Sequence, residues 1–280
     1  MDKKLIGISN KVQKYLHIHM LNGYKFPADK STVFKYMPLE RLVQSVKDKA
    51  LVFVSPEAWY DPFEQLYYGI DCSARDYNTE DIACMCVSEK SSTNEDASWR
   101  VYAGSSDKSV RVSFEQEALM GVLDEFADNN GYEVYIGKVD YSFEKKEIKD
   151  IYKSSSSLHH IYFPYQMSRE HYLSLMLLKR KAFQYENEVR IFLVKNKIPF
   201  KNNLLSIPCD YLSDQQPKLI SNVMLSPYPP VRPEHDLANK VREKINKTES
   251  DQIKEELNKM LDCRIQQSML YKVYPRVKRI

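Results

Sequence analysis

The segment Phe183-Gln184-Tyr185-Glu186-Asn187-Glu188-Val189-Arg190-Ile191-Phe192-Leu193-Val194 sets three ionisable side chains into an otherwise largely apolar run. Its odd-numbered positions are mostly apolar and Glu186, Glu188 and Arg190 alternate with them, which is the period of a β-strand. Both carboxylates and the guanidinium are therefore expected on one sheet face. On an exposed face such a row is an ordinary cross-strand ladder. Here a packed helical pattern precedes the segment and apolar residues follow it, so a central strand is expected. In that setting two like charges resist joint ionisation unless Arg190 or a ligand compensates.

The rest of the chain places short strands irregularly among helices, the pattern of an α+β protein with a mixed sheet and peripheral helices. Leu5, Ile8, Val12, Leu16 and Met20 recur at helical spacing and predict a first helix over 4–21. Thr32–Tyr36 predicts a strand, and Pro38 opens a helix with Leu39, Leu42, Val43 and Val46 on one face. Strands follow at Leu51–Val54, Ile82–Val87, Val110–Phe114, Glu133–Tyr141, Leu204–Cys209 and Leu219–Leu225. Ser113 or a neighbour is expected to cap a helix that stops at Asn130-Gly131, where a left-handed residue costs little. Residues 142–166 are ambiguous, 168–181 predict a helix, and Pro229, Pro230 and Pro233 force a break. Two charged helices, 234–247 and 250–262, then lead to a strand over 268–274. The organisation expected is one domain over 1–280, with a helical extension (1–30), a core (31–230) and C-terminal helices with a final strand (231–280).

Composition narrows the function classes. Seven glycines form neither a dinucleotide-binding G-x-G-x-x-G nor a phosphate-binding G-x-x-x-x-G-K-[ST] pattern. Five cysteines, an odd number in a 280-residue chain, read as reduced thiols rather than a disulfide framework. The charges at Asp2, Lys3 and Lys4 precede too short an apolar run for an export signal, and no stretch approaches a membrane span. A cytoplasmic location without membrane contact is expected. The net charge of +3 is too small to argue for a polyanionic partner by itself. His17-x-His19 and Cys84-x-Cys86 lack a second ligand pair, so no metal site is assigned. The tail from Lys272 to Arg279 interleaves cations with an aromatic, which fits a nucleic-acid contact or a solvated terminal strand equally.

Four groups of residues carry a resemblance. Phe34-Lys35-Tyr36, then Phe53-Val54-Ser55-Pro56 leading to Asp61-Pro62-Phe63-Glu64, then Ser98-Trp99-Arg100-Val101-Tyr102, then Tyr185-Glu186-Asn187-Glu188-Val189-Arg190 resemble a widespread bacterial family of formerly uncharacterised domains. Its usual motifs are Y-K-Y, F-N-D-P-F-E, M-W-x-x-Y and W-x-Y-E-x-E-x-R. Tyr60, Ser98 and Phe183 stand where that family has Asn, Met and Trp. The layout is in turn similar to the ADP-ribosyltransferase superfamily, whose strands surround the nicotinamide ribose of NAD.

The resemblance implies that Glu188 stabilises the ribosyl cation and Glu186 positions the acceptor. It implies that Lys35, Tyr36 and Ser55 contact NAD. Asp61, Trp99, Tyr102 and Arg190 are added as candidate NAD-binding residues, each set against a bland alternative. Asp61 can belong to a helix-capping turn, Trp99 and Tyr102 to ordinary packing, and Arg190 to a fixed ion pair. The activity implied is NAD-dependent transfer of ADP-ribose to a macromolecule, with RNA or DNA among the acceptors. The implied setting is a bacterial toxin, with an antitoxin partner, or a phage-defence effector. The rival reading is a non-catalytic module for a nucleotide or nucleic acid, in which the carboxylates form structural salt bridges.

Overall fold

The computed structural model describes residues 15–26, 32–59, 61, 64, 78–89, 98–99, 108–151, 168–212, 217–227 and 236–268. In chain order its elements are β1 (Ile18–Met20), β2 (Thr32–Pro38), α1 (Leu39–Lys47), β3 (Ala50–Val54), β4 (Ile82–Ser88) and β5 (Ser109–Glu115). There follow α2 (Gln116–Asn130), β6 (Glu133–Lys138), α3 (Lys145–Ile151), α4 (Arg169–Leu175), β7 (Glu188–Val194), β8 (Leu204–Pro208), β9 (Ile220–Leu225), α5 (Asp236–Met260) and β10 (Arg264–Gln267). The ten strands join one mixed sheet, so the α+β expectation holds.

Strand order along the main path is β1-β6-β7-β4-β2-β5-β9-β10. The two outermost pairs, β1 with β6 and β10 with β9, are parallel, and the pairs between them are antiparallel. Strand β4 is where the sheet divides. One edge of β4 pairs with β7 from Ile82↔Val194 to Ser88↔Glu188. The other edge is shared, by β2 only at Phe34↔Ser88 and by β3 only at Val54↔Cys84. β3 then pairs with β8, so two wings leave β4 in different directions.

Alternation along the strands sorts side chains onto two faces. Val33, Met85, Val87, Val112, Val189, Ile191 and Val223 point to the larger core, against Leu42 and Val46 of α1, Leu119 and Leu123 of α2 and Leu257 of α5. Burying each large apolar side chain contributes roughly 1.5–3 kcal/mol. The opposite face is covered over β4, β6 and β7 by a smaller core of Tyr172, Leu173, Met176 and Leu177 against Cys84, Tyr135 and Phe192. Strand β7 is thus buried on both faces, as expected of a central strand.

Several expectations are corrected. The end of the expected first helix is strand β1, because pairing beside β6 overrides helical spacing in so short a segment; residues 1–14 lie outside the described residues. Ser113 belongs to β5, opposite Phe34, and α2 is preceded by Glu115 with no side-chain cap. The stop at Gly131 is as expected, with φ +67°. Part of 142–166 is helix α3, and the helix expected to reach Lys181 ends at Leu175. The two C-terminal helices are one. No Gly or Pro interrupts 236–260, and Ser250, instead of capping a new helix, donates through Oγ to Gln267 Oε1 at 2.8 Å. Strand β10 at 264–267 was not expected, and the strand expected over 268–274 lies beyond Ser268 outside the described residues, as do the basic tail and the three prolines.

Candidate functional site

Only one residue pair joins β2 to β4, so the strands part beyond Phe34, and Lys35 Nζ reaches across to donate to the Cys86 carbonyl at 2.8 Å. The gap is a small cleft of about 50 Å³, lined by Phe34, Lys35, Tyr36, Cys86, Val87, Ser88 and Glu188. Register puts Glu188, Ser88 and Phe34 side by side on one face of the sheet, with Arg190 and Cys86 one step along. Glu188 therefore comes to the cleft through the pairing of three strands distant in sequence.

Behind the cleft lies a buried charge cluster. Arg190 is 1 % exposed. Its Nε donates to Glu188 Oε1 at 2.9 Å, and its other nitrogens donate to Glu64 Oε1 and to the Met176 carbonyl. The Trp59 ring lies 4.2 Å from the guanidinium carbon, a cation–π contact. Lys179 Nζ donates to Glu186 Oε2 at 2.6 Å and Glu188 Oε2 at 2.9 Å, and lies 3.4 Å from Glu64. Tyr141 Oη accepts the Glu188 backbone N–H at 3.1 Å, and Ser88 Oγ donates to the Glu186 carbonyl at 2.8 Å.

Three carboxylates face two cations, so one carboxylate carries the excess. Burial alone would raise the pKa of Glu188, but Arg190 and Lys179 overcome it and hold that carboxyl far below the ordinary range. Glu186 is raised from 4.5 to about 7: burial dominates, the Lys179 contact opposes it, and the Glu188 and Glu64 charges add to it. Lys179 is held cationic because Glu188 and Glu64 outweigh the burial that would lower it. The pair thus divides into a permanent anion, Glu188, and a group that exchanges its proton near neutral pH, Glu186.

Glu186 does not lie on the strand as its alternation predicted. It ends a 3-10 helix over Lys181–Glu186, and Asn187 adopts a left-handed conformation (φ 45°) before β7 begins. The two carboxylates still meet, through Lys179. Asn is among the few residues that tolerate this conformation, and its place between two glutamates was the available signal.

The other candidates separate. Tyr36 shares the Glu188 face, whereas Lys35 alternates to the Val112 side and returns to the cleft only through its long stem. Ser55 follows β3 and accepts from Glu57 N at 3.3 Å, capping the short 3-10 turn that leads to Trp59. Asp61 accepts from Arg180 at 2.9 Å. Trp99 is buried edge-on against Tyr36, with 5.0 Å between ring centroids. Arg190 pairs with Glu188 and Glu64, and not with Glu186. Tyr102 lies outside the described residues. Sequence reasoning missed Lys179, Glu64, Trp59 and Tyr141; Lys179 stands in Lys179-Arg180-Lys181, which looks like a solvated helix end. His17 and His19 go separate ways, to Asp128 at 3.2 Å and to the Tyr135 ring, and Cys84 and Cys86 are free thiols 4.0 Å apart.

Residues 98–191 match a protein family of unknown function, DUF2971. The DUF2971 segment covers about a third of the chain and contains Trp99, Tyr141, Lys179, Glu186, Glu188 and Arg190. Glu64, Trp59 and the β2 side of the cleft lie before it. No curated protein and no solved structure matches the chain. Among the described residues no helix is long and apolar enough to cross a membrane.

Proposed function

We propose that this chain is an NAD-dependent ADP-ribosyltransferase-like enzyme that passes ADP-ribose to a macromolecular acceptor. The observation that carries the reading is Glu188, a carboxylate kept ionised by two buried cations while lining a cleft where the sheet divides. In the reaction the bond between the ribose anomeric carbon and the nicotinamide nitrogen breaks, and its electron pair leaves with nicotinamide. Positive charge grows on the ribosyl group, and a fixed anion is worth most at that moment. Glu186, with a pKa near 7, accepts the proton that the acceptor's nucleophile loses as the new bond forms. RNA or DNA as acceptor, the toxin or phage-defence role and an antitoxin partner rest on the motif resemblance alone.

One observation favours the rival, a non-catalytic nucleotide or nucleic-acid module: the two cations already engage all three carboxylates. Incubating the protein with NAD and RNA, DNA or cell lysate separates the two readings. The enzyme releases nicotinamide and adds mass to one acceptor, and Glu188→Gln, which loses a partner of buried Lys179 and Arg190 and is less stable on either reading, abolishes both at a temperature where it is still folded. The binding module releases none.

A further inference from the structure

Helices α1 and α5 lie side by side over the larger core and leave an apolar groove between them. Its volume is about 430 Å³, against about 50 Å³ for the cleft, and its apolar lining is Leu39, Val43, Ile253, Leu257 and Met260. The two helices run the same way. Strands β2 and β10 point in one direction, because β2 is antiparallel to β5, β5 is antiparallel to β9, and β9 is parallel to β10. Helix α1 turns back from the end of β2, and α5 is held antiparallel to β10 by the hydrogen bond from Ser250 to Gln267. Lys108 ties the start of α1 to the same end of α5. Its carbonyl accepts from Leu39 N at 3.1 Å, and its Nζ lies 4.0 Å from Glu249.

The charges along the groove follow from that alignment. Glu40 stands in the first turn of α1 and Lys47 in the last, two turns on and on the same flank. Lys259 stands in the last turn of α5 and lines the groove with Lys47, so one end of the groove is basic and the end at Glu40 and Glu249 is acidic. Glu40 and Lys47 form no ion pair among the described residues, and the Lys259 bond to Glu255 is an exposed one along the helix. Acid at a helix start and base at its end offset the helix dipole. The same pattern is its own complement when turned end for end. We propose that the groove is the contact between two copies of this chain, related by a two-fold axis lying across the helices. The two helix pairs then close as four helices, antiparallel between copies, around one apolar centre. Glu40 of each copy meets the partner's Lys47, and Leu39, Val43, Ile253 and Met260, half-buried in the single chain, leave water. Glu188 lies on the other face of the sheet, so the contact is independent of how the cleft is read.

Sedimentation velocity on the full chain, over roughly 1–100 µM, is expected to show a monomer–dimer equilibrium, since two helices per copy make a small interface. Val43→Glu puts a carboxylate from each copy into the shared apolar centre and should weaken the dimer at least about 100-fold. The charge variants keep the test open should Val43→Glu fail to fold, because Glu40 and Lys47 are exposed and outside the core. Glu40→Lys and Lys47→Glu each set like charges against each other across the two-fold axis, and each should weaken the dimer about 5- to 50-fold. Combining both changes in one chain restores the attraction. Mixing the two single variants in equal amounts restores it as well, as a heterodimer in which both contacts join opposite charges. End charges that served only their own helix would give no recovery on mixing. A wild type that stays monomeric throughout, as it would if another segment of the chain or a different protein covered the groove, overturns the proposal. A dimer that these variants do not weaken, or single variants that do not recover on mixing, overturns it too.

Discussion

Glu186 and Glu188 are two residues apart and equally buried, and their pKa values shift in opposite directions. Glu188 accepts from both Lys179 and Arg190, whereas Glu186 shares only Lys179 and stands near two other carboxylates. The folded pKa of Glu186 lies above its ordinary 4.5, so its contribution to stability is complete below that value and is lost as pH rises through about 7. Glu188 works the other way: its contribution is present above 4.5 and is lost only as pH falls far into the acid range. The neutral isostere Glu186→Gln removes the first dependence. Between about pH 5 and pH 8 the urea midpoint of the wild type is expected to fall more than that of Glu186→Gln. Parallel curves would mean that Glu186 is ionised throughout.

At the scale of elements, the turn after α4 decides where Lys179 and the Met176 carbonyl meet Arg190. That turn is pinned to the end of β6: Asp140 N donates to the Leu177 carbonyl at 2.8 Å and Lys179 N donates to the Asp140 carbonyl at 3.0 Å. Leu177 lies over Gly137, which is paired with Arg190 across β6 and β7. A Cβ at Gly137 would overlap Leu177 Cδ1 and stand a tight 3.1 Å from Leu21 Cβ, so the Leu177 side chain must shift to admit it. Gly137→Ala is therefore expected to cost about 1–3 kcal/mol in denaturant unfolding, the usual range for overpacking. By displacing Leu177 it should also reduce any Glu188-dependent activity. An unchanged midpoint would show that the Leu177 side chain turns aside freely.

For the whole molecule the division of the sheet at β4 is the main fact. Along β7 the ladder of β4 is continuous, and along β2 it is a single pair. Amide exchange is expected to follow that asymmetry, with β4 amides directed at β7 exchanging near the rate of global unfolding and those directed at β2 exchanging sooner. Occupation of the cleft should slow the second group alone. Uniform protection along both edges of β4 would remove the division as a point of weakness and with it the mechanical reason for a cleft there.

Local pattern was sufficient for much of this architecture. The apolar runs at Leu51–Val54 and Ile82–Val87, the Leu42 and Val46 face of α1 and the stop at Gly131 are short-range physics, carried by side-chain period and backbone freedom. Glu188 and Arg190 were legible for the same reason, since ionisable residues inside a fully apolar strand need partners. The identity of those partners was not. Lys179 and Glu64 look like surface residues in sequence, and only the tertiary fold brings them to the charged groups of β7. Asn187 broke the expected strand by one left-handed residue, yet Lys179 restored the meeting of the two glutamates from outside it. What the sequence by itself determined was the set of elements and the presence of charge in the core. Only the tertiary structure decided which cation neutralises which carboxylate, and that Phe34, Ser88 and Glu188 share one cleft, because strand pairing between distant segments depends on long-range register that no local period encodes.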